Sequence, residues 1–281
     1  VSTTAVGPAT SLVGPTPKPR PYSLLQIPGV VIDEEGAPRW LTQANVLGFP
    51  DGTPGLWEAC SSGTFRVKED GSPRPQDRFN PFGAYFALPC STQSMGNYDT
   101  FYEMAELALD ATLSHSVEDA LSQGIDSNPF FGDTGFTALA QNVSPRVGLS
   151  YLENAIGERT GRMGMIHATP AIVEAWGDGG GLSTDGGVLR TINGTPIAAG
   201  SGYIGAHPLG SGGLPGPAGT KEWAFATGPV EVRFEPEVRR RLVESVDRSD
   251  NSVVVRAERY VLADWDKALQ VGAYIDWSLT P

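Results

Sequence analysis

Hydrophobic and polar positions follow different periods along this chain, and each change of period marks an element. Residues 99–123, DTFYEMAELALDATLSHSVEDALSQ, set Phe101, Ala105, Ala108, Leu109, Thr112, Val117, Ala120 and Leu121 at helical spacing. The spacing predicts one long helix of about seven turns. Thr100 with Glu103 three residues on reads as a capping box, and Gly124 as the C-terminal stop. A second helix opens at Ser144 and Pro145, with Leu149, Leu152 and Ile156 on one face and Gly161 near its end. Between them, FFGDTGFTALA reads as a loop.

Beyond residue 160 the periods shorten. MGMIHAT reads as a short buried strand, and Thr169 with Pro170 opens a short helix, AIVEAW. GDGGGLSTDGG reads as a glycine-rich surface loop. VLRTI, the Asn193-Gly194 turn and TPIAAGSGY form an expected hairpin. A glycine-proline loop from Gly205 to Gly219 leads to two strands, EWAFATG and PVEVRFE. Pro236 to Val246 reads as a helix, since Val238, Leu242 and Val246 share one helical face. The final stretch, SDNSVVVRAERYVLADWDKALQVGAY, carries the β-prone run Val253, Val254 and Val255 straight into Arg256, Glu258 and Arg259. A turn near Asp264 to Lys267 and a last strand, ALQVGAYI, follow. The class is α+β, with strands dominating.

The N-terminal third has neither period in strength. Residues 1–28 carry Pro8, Pro15, Pro17, Pro19, Pro21 and Pro28, which predicts an extended arm that orders only against something else. From Gly29 to Cys90 the pieces GVVID, LWEAC, TFRVKEDGSPRPQDRF and FGAYFALPC read as strands joined by long turns. Such hairpins are marginal alone and lie on a neighbour.

Composition narrows the function classes. The chain has 281 residues, 35 glycines, 23 prolines and a formal net charge of −12. That charge argues against the phosphate-neutralising surface of a sequence-independent nucleic-acid binder, so any contact with nucleic acid is local. Cys60 and Cys90 are too few for a disulfide framework and lack zinc spacing. No run of about 18 apolar residues and no charged-then-apolar leader is present, so the expectation is a soluble protein made in a reducing compartment.

Candidate chemistry is sparse. His115, His167 and His207 are too scattered for a metal motif and read as structural or surface histidines. GDGGGLSTDGG lacks the lysine and hydroxyl of a P-loop and the alternating acids of an EF-hand. Neither a G-x-S-x-G elbow nor an H-E-x-x-H pair occurs. Asn142-Val-Ser and Asn193-Gly-Thr match glycosylation acceptors by chance. An enzyme with a cryptic site around His167 and Glu174 stays as an alternative class. No catalytic group, cofactor or metal is expected.

An arm, extended hairpins and a long isolated helix, without chemistry, point to assembly. The order of elements resembles the Hong Kong 97-type fold of tailed-phage major capsid proteins, shared with encapsulin shells, over roughly residues 99–276 and more loosely over 1–98. ELALDATLSHSVEDALSQGIDSNPF resembles that family's long spine helix and the loop after it. MGMIHATPAIVEAW, LRTINGTPIAAGSGY and EWAFATGPVEVRFE resemble its next strand and helix, its small loop and strand, and its next hairpin. NSVVVRAERYVLADWDKALQVGAYI resembles its C-terminal signature of a strand, R-A-E-R and a second strand.

The resemblance implies an N-terminal arm at 1–28, an extended loop and peripheral strands at 29–90, and the spine helix of a peripheral domain at 91–130. It implies an axial domain at 131–248 and C-terminal strands returning to the peripheral domain at 249–281. The implied function is a major capsid protein, not an enzyme, that self-assembles into pentamers and hexamers of an icosahedral phage head around double-stranded DNA. Implied partners are other copies, scaffolding, portal and decoration proteins, and packaged DNA by weak nonspecific contact, with no membrane. The place is the virion capsid, assembled in the host cytoplasm. Encapsulin-like compartments and minor head or tail proteins remain alternatives. The charged strand face at Arg256, Glu258 and Arg259 is either a solvated face or a subunit contact.

In some members of that family a lysine on the extended loop forms an isopeptide bond with an asparagine of a neighbouring subunit, aided by a glutamate. Position in the C-terminal signature makes Asn251 and Glu258 the matching pair, with Lys68 the lysine. Glu69 and Asp70 beside Lys68 favour its charged, unreactive form, and Asn251 alternatively caps a turn. Non-covalent assembly is the expectation, with the crosslink as the exception.

Overall fold

The computed structural model describes residues 16–32, 39–47, 76–91, 98–125, 128–160, 164–208, 216–247 and 252–279. In chain order these form β1 (Val31–Ile32), β2 (Ala44–Leu47), β3 (Gln76–Phe79), β4 (Phe82–Ser91), α1 (Tyr98–Gln123), β5 (Thr137–Val143) and α2 (Pro145–Thr160). Then come β6 (Met165–Ala168), α3 (Pro170–Asp178), β7 (Leu182–Asp185), β8 (Val188–Thr191), β9 (Ile197–Ala199) and β10 (Lys221–Thr227). The chain closes with β11 (Val230–Phe234), β12 (Arg239–Asp247), β13 (Ser252–Trp265) and β14 (Gln270–Asp276).

Two sheets organise the molecule. In the first, the 14-residue strand β13 pairs antiparallel with β11 and β12 and, across Ser252 to Val261, with β4. Strand β1 adds in parallel to β11. The second sheet has the order β5-β14-β10-β6-β9. Helix α1 lies on β13 and β4, while α2 lies on β14. The chain passes between the two sheets three times, from β4 through α1 to β5, from β10 to β11 and from β13 to β14. An aromatic seam fills the junction: the Phe131 ring centroid lies 5.1 Å from Trp265, 5.9 Å from Phe225 and 4.4 Å from the His167 ring.

The long helix forms where its period placed it. Ala105, Leu109, Leu113, Val117 and Leu121, four residues apart, make one buried row, and each leucine contributes about 1.5–3 kcal/mol by leaving water. The helix ends at Gly124, whose φ of +85° favours glycine and whose N–H bonds the Ala120 carbonyl at 3.1 Å. The helix is already formed at Tyr98, so Thr100 lies inside it and is not its cap. Helix α2 buries Leu149, Leu152 and Ile156 as expected, and the Trp176 indole of α3 donates to the Pro145 carbonyl at 2.8 Å.

Several expectations are corrected. The loop read at FFGDTGFTALA contains β5, which becomes a strand only because β14 offers it a parallel edge. The surface loop GDGGGLSTDGG contains β7, paired with β8 around Gly186 and Gly187, both at positive φ. The regular hairpin is β7–β8; the Asn193-Gly194 turn forms as expected, with an antiparallel bridge between Arg190 and Pro196, before β9 joins β6 in parallel. EWAFATGPVEVRFE is no hairpin, since β10 and β11 belong to different sheets. Residues 236–246, read as a helix, hold β12: a spacing of four also suits a strand, Leu242 is 40% exposed, and β13 supplies a paired edge. Residues 249–281 supply a strand to each sheet, β13 to the first and β14 to the second.

The arm is also revised. Residues 16–21 are exposed, but Ser23, Leu24, Ile27 and Val30 are buried in this same subunit's core. The Ala199 N–H donates to the Tyr22 carbonyl at 2.8 Å, so the segment adds to the edge of β9. Among the described residues no helix is long and apolar enough to cross a membrane.

Candidate assembly surfaces

Alternation along β13 decides which charged groups share a face. Val253, Val255, Ala257 and Val261 are buried, the first two against Phe101 and Tyr102 of α1. Arg256, Glu258 and Tyr260 therefore project from the opposite face. There, one Glu258 oxygen pairs with Arg241 at 2.5 Å and the other with Arg256 at 3.1 Å. Arg239 pairs with Glu235 at 2.6 Å and lies over the Tyr260 ring, 4.7 Å from its centroid. Arg256 lies over Tyr85, a tyrosine that is 62% exposed.

The helix side of the sheet carries its own pairs. Arg240 makes a bidentate contact with Glu106 of α1 at 2.6 and 3.0 Å, and Arg259 lies 3.9 Å from Asp110. The R-A-E-R run is thus split: Arg256 and Glu258 face outward, Ala257 and Arg259 face the helix. The guanidinium ends of Arg239, Arg240 and Arg241 reach solvent, which screens these pairs and limits what they add to stability.

Lys68 and Asn251 lie outside the described residues, as does Cys60. Cys90 is placed by its backbone, opposite Val253 in β4. Of the three crosslink candidates Glu258 alone can be located, and both its oxygens are held by guanidinium groups. A lysine, an asparagine and a carboxylate do meet elsewhere, where Lys221 Nζ sits 3.0 Å from Asn142 Oδ1 and 3.2 Å from Asp276 Oδ2. The Ser278 hydroxyl, with further hydrogen bonds from the Ser278 backbone, Thr220 and Lys221, holds the Asp276 pKa down to about 2. An ionised Asp276 keeps Lys221 in an ion pair, the wrong partner for a nucleophilic amine.

His167 is structural. It is fully buried in β6, with Nδ1 3.0 Å from the Tyr203 hydroxyl and Nε2 2.9 Å from Thr227 Oγ1. The Thr227 hydroxyl donates to the Gly228 carbonyl at 2.8 Å, so Nε2 carries the ring proton and Nδ1 accepts from Tyr203. Burial lowers the His167 pKa to about 3, leaving it neutral. Glu174 is exposed on α3, so the two residues of the enzyme alternative are not brought together. His115 is exposed on α1, its Nδ1 3.1 Å from Ser201 Oγ. Among the described residues no group of three or more metal-ligating side chains converges.

A second surface lies at the far end of the other sheet. A cleft of about 270 Å³ between α2, α3 and the turn after β8 is bordered by Leu149, Trp176 and Ile192. Ile192 is 71% exposed, and Val147 and Tyr151 on α2 are each 44% exposed. Val147 and Tyr151 do not line this cleft, and sequence reading missed it because Leu149, Trp176 and Ile192 meet only in the fold.

No protein-family profile and no curated protein matches the amino-acid sequence. Solved structures do match. The capsid of a native GTA particle, computed with C5 symmetry, aligns over 96% of this chain and 95% of its own, with a TM-score of 0.60 and 14% identity. The capsid of the empty GTA particle gives 0.55 and 13% over 96% and 95%. Mycobacterium phage Adephagia gives 0.52 and 12% over 99% and 97%. With its long helix on a long hairpin and its second, mixed sheet, the chain has the Hong Kong 97-type fold of phage capsid proteins.

Proposed function

We propose that this chain is a structural shell protein whose copies form pentamers and hexamers that close into an icosahedral head around double-stranded DNA. The observation that carries the reading is a fold match spanning nearly the whole chain, to the capsid of a particle computed with C5 symmetry. A cyclic ring needs two different, complementary patches on each subunit. The paired arginine face with Tyr85 is the surface we assign to one of them, and the cleft bordered by Leu149, Trp176 and Ile192 the surface we assign to the other. Work at these surfaces is association, not turnover, and assembly in a host cytoplasm suits a protein of this kind.

Negative-stain microscopy of the purified chain tests the reading. Closed shells support it, and a protein that stays monomeric at all concentrations overturns it. Nuclease-protected DNA inside the shells separates a phage head from an encapsulin-like compartment, and copy number per particle separates a major from a minor head or tail protein. Assembly is proposed to be non-covalent, in keeping with the doubly paired Glu258. Denaturing gels of mature particles are expected to give one band near 29.7 kDa, whereas ladders that vanish in Lys68→Ala would establish a crosslink.

A further inference from the structure

Glu118 is a buried carboxylate that neither surface uses. It sits on α1 with 1% exposure, and its hydrogen-bond donors come from three parts of the chain. Oε1 accepts the Leu24 N–H at 2.9 Å, 94 residues away, and the Ser114 hydroxyl at 3.0 Å from the same helix. Oε2 accepts the Gly202 N–H at 3.2 Å, 84 residues away. Ser114 Oγ also accepts the Leu25 N–H at 3.3 Å, and Ser122 Oγ donates to the Gly202 carbonyl at 3.0 Å.

The fit is close. A Cβ on Gly200 would lie 2.2 Å from the Glu118 carboxyl carbon, and one on Gly202 would lie 2.4 Å from the His115 carbonyl oxygen. The turn from Gly200 to Tyr203 therefore presses its backbone onto the helix, a position open only to residues without a side chain. Burial raises the Glu118 pKa, and the three hydrogen bonds with His115 nearby pull it back. A buried carboxylate is tolerated only while its oxygens are satisfied, so each donor supports the others.

We propose that Glu118 is a latch. The N-terminal strap, residues 22–30, and the turn Gly200–Tyr203 dock side by side on α1, both donate a backbone N–H to this carboxylate, and they undock as one unit. When the strap leaves, Leu24 withdraws a donor and water reaches the carboxylate beneath the turn, which weakens its bond to Gly202. When the turn lifts, the same loss reaches Leu24. The coupling is reciprocal, as linkage requires. The strap also borders β9 through Tyr22, so its seating reports directly to the second sheet. The inference holds whether or not the chain builds shells; in a shell it would let an N-terminal arm govern the loop that follows β9.

Amide hydrogen exchange on the full chain tests it through perturbations on opposite sides. Gly202→Ala pushes the turn from α1 and is expected to speed exchange at Leu24 and Leu25 by at least ~10-fold, the scale of an unsatisfied buried acceptor. Deleting residues 1–28 is expected to speed exchange at Gly202 by a larger factor than at Val255 and Ala257 of β13, which respond only to the overall loss of stability. Ser114→Ala, a milder change within a folded helix, is expected to speed both sites together by a few-fold. In Glu118→Gln, which retains one acceptor oxygen but aims an amide N–H at one donor, both sites exchange faster and the strap deletion no longer alters Gly202. Wild-type protection at Leu24 and Leu25 in Gly202→Ala, or a response confined to one site in Ser114→Ala, overturns the latch.

Discussion

The first half of β13 and the whole of β14 follow one another in sequence, yet they are stabilised in different ways. From Val253 to Ala257 the strand alternates between buried and half-buried, with one face on α1 and one face wet. In β14 all seven residues are buried, Gln270 and Asp276 included, because helix or aromatic side chains cover both faces. The lesson is one of division of labour. Both sheets pack against hydrophobic clusters, but β14 is covered on both faces, whereas β13 keeps an outer face of paired charges.

The largest expected effect tests the inner side of that contrast. Phe131→Ala opens a cavity among Trp265, Phe225 and His167, and should cost about 3–5 kcal/mol in chemical denaturation. A loss no greater than that of an outer-face substitution would erase the distinction. Next comes the strap. Leu24→Ala should cost about 2–5 kcal/mol, while removing residues 1–21 should leave the denaturation midpoint unchanged. Equal loss from both would mean that the proline-rich stretch, and not the buried leucine, holds the segment.

A pH series sharpens the comparison at the seam. His167 binds its proton more weakly when folded, at about 3 against an ordinary 6.5. The unfolded chain therefore takes up more protons below pH 6.5, and stability falls with pH from 6.5 to about 3, by at most ~1.4 kcal/mol per unit. Glu118, raised by burial, works the other way above the ordinary carboxylate range. The slope difference between wild type and His167→Gln isolates the histidine, and identical slopes would remove its part. The smallest effect belongs to the outer face. Glu258→Gln leaves Arg241 and Arg256 opposite each other across the strand pair, yet should change monomer stability by no more than about 1 kcal/mol. Sedimentation of the same variant should show a larger effect on association, and unaltered assembly would take that face out of the contact.

Legibility in the sequence follows how local each cause is. The row from Ala105 to Leu121, the Gly124 stop and the β-prone run at Val253 are set by neighbours within a few residues, and those elements formed as read. Strand β12 was misread because Val238, Leu242 and Val246 suit a helix as well as a bent strand, and only β13 decides between them. Strand β5 has no alternation of its own and takes its shape from β14. Glu258 was singled out by its place in a signature, but its two arginine partners lie on its own strand and on β12, a segment expected to be helical. Glu118 had no signal at all, sitting among polar positions of a helix whose other acids lie at the surface or pair with arginines of the sheet.

By itself, then, the sequence determined the α+β class, the long helix with its stop, the order of most strands and the scarcity of catalytic groups, since spacing, turn chemistry and composition act over short range. Tertiary structure alone decided that the strap enters the core, that β10 and β11 part into two sheets, and that a carboxylate and a histidine sit buried on chosen donors. Burial and hydrogen-bond partnership arise between segments far apart in the chain, Leu24 and Glu118 by 94 residues, and no local pattern encodes which distant backbone amide will arrive.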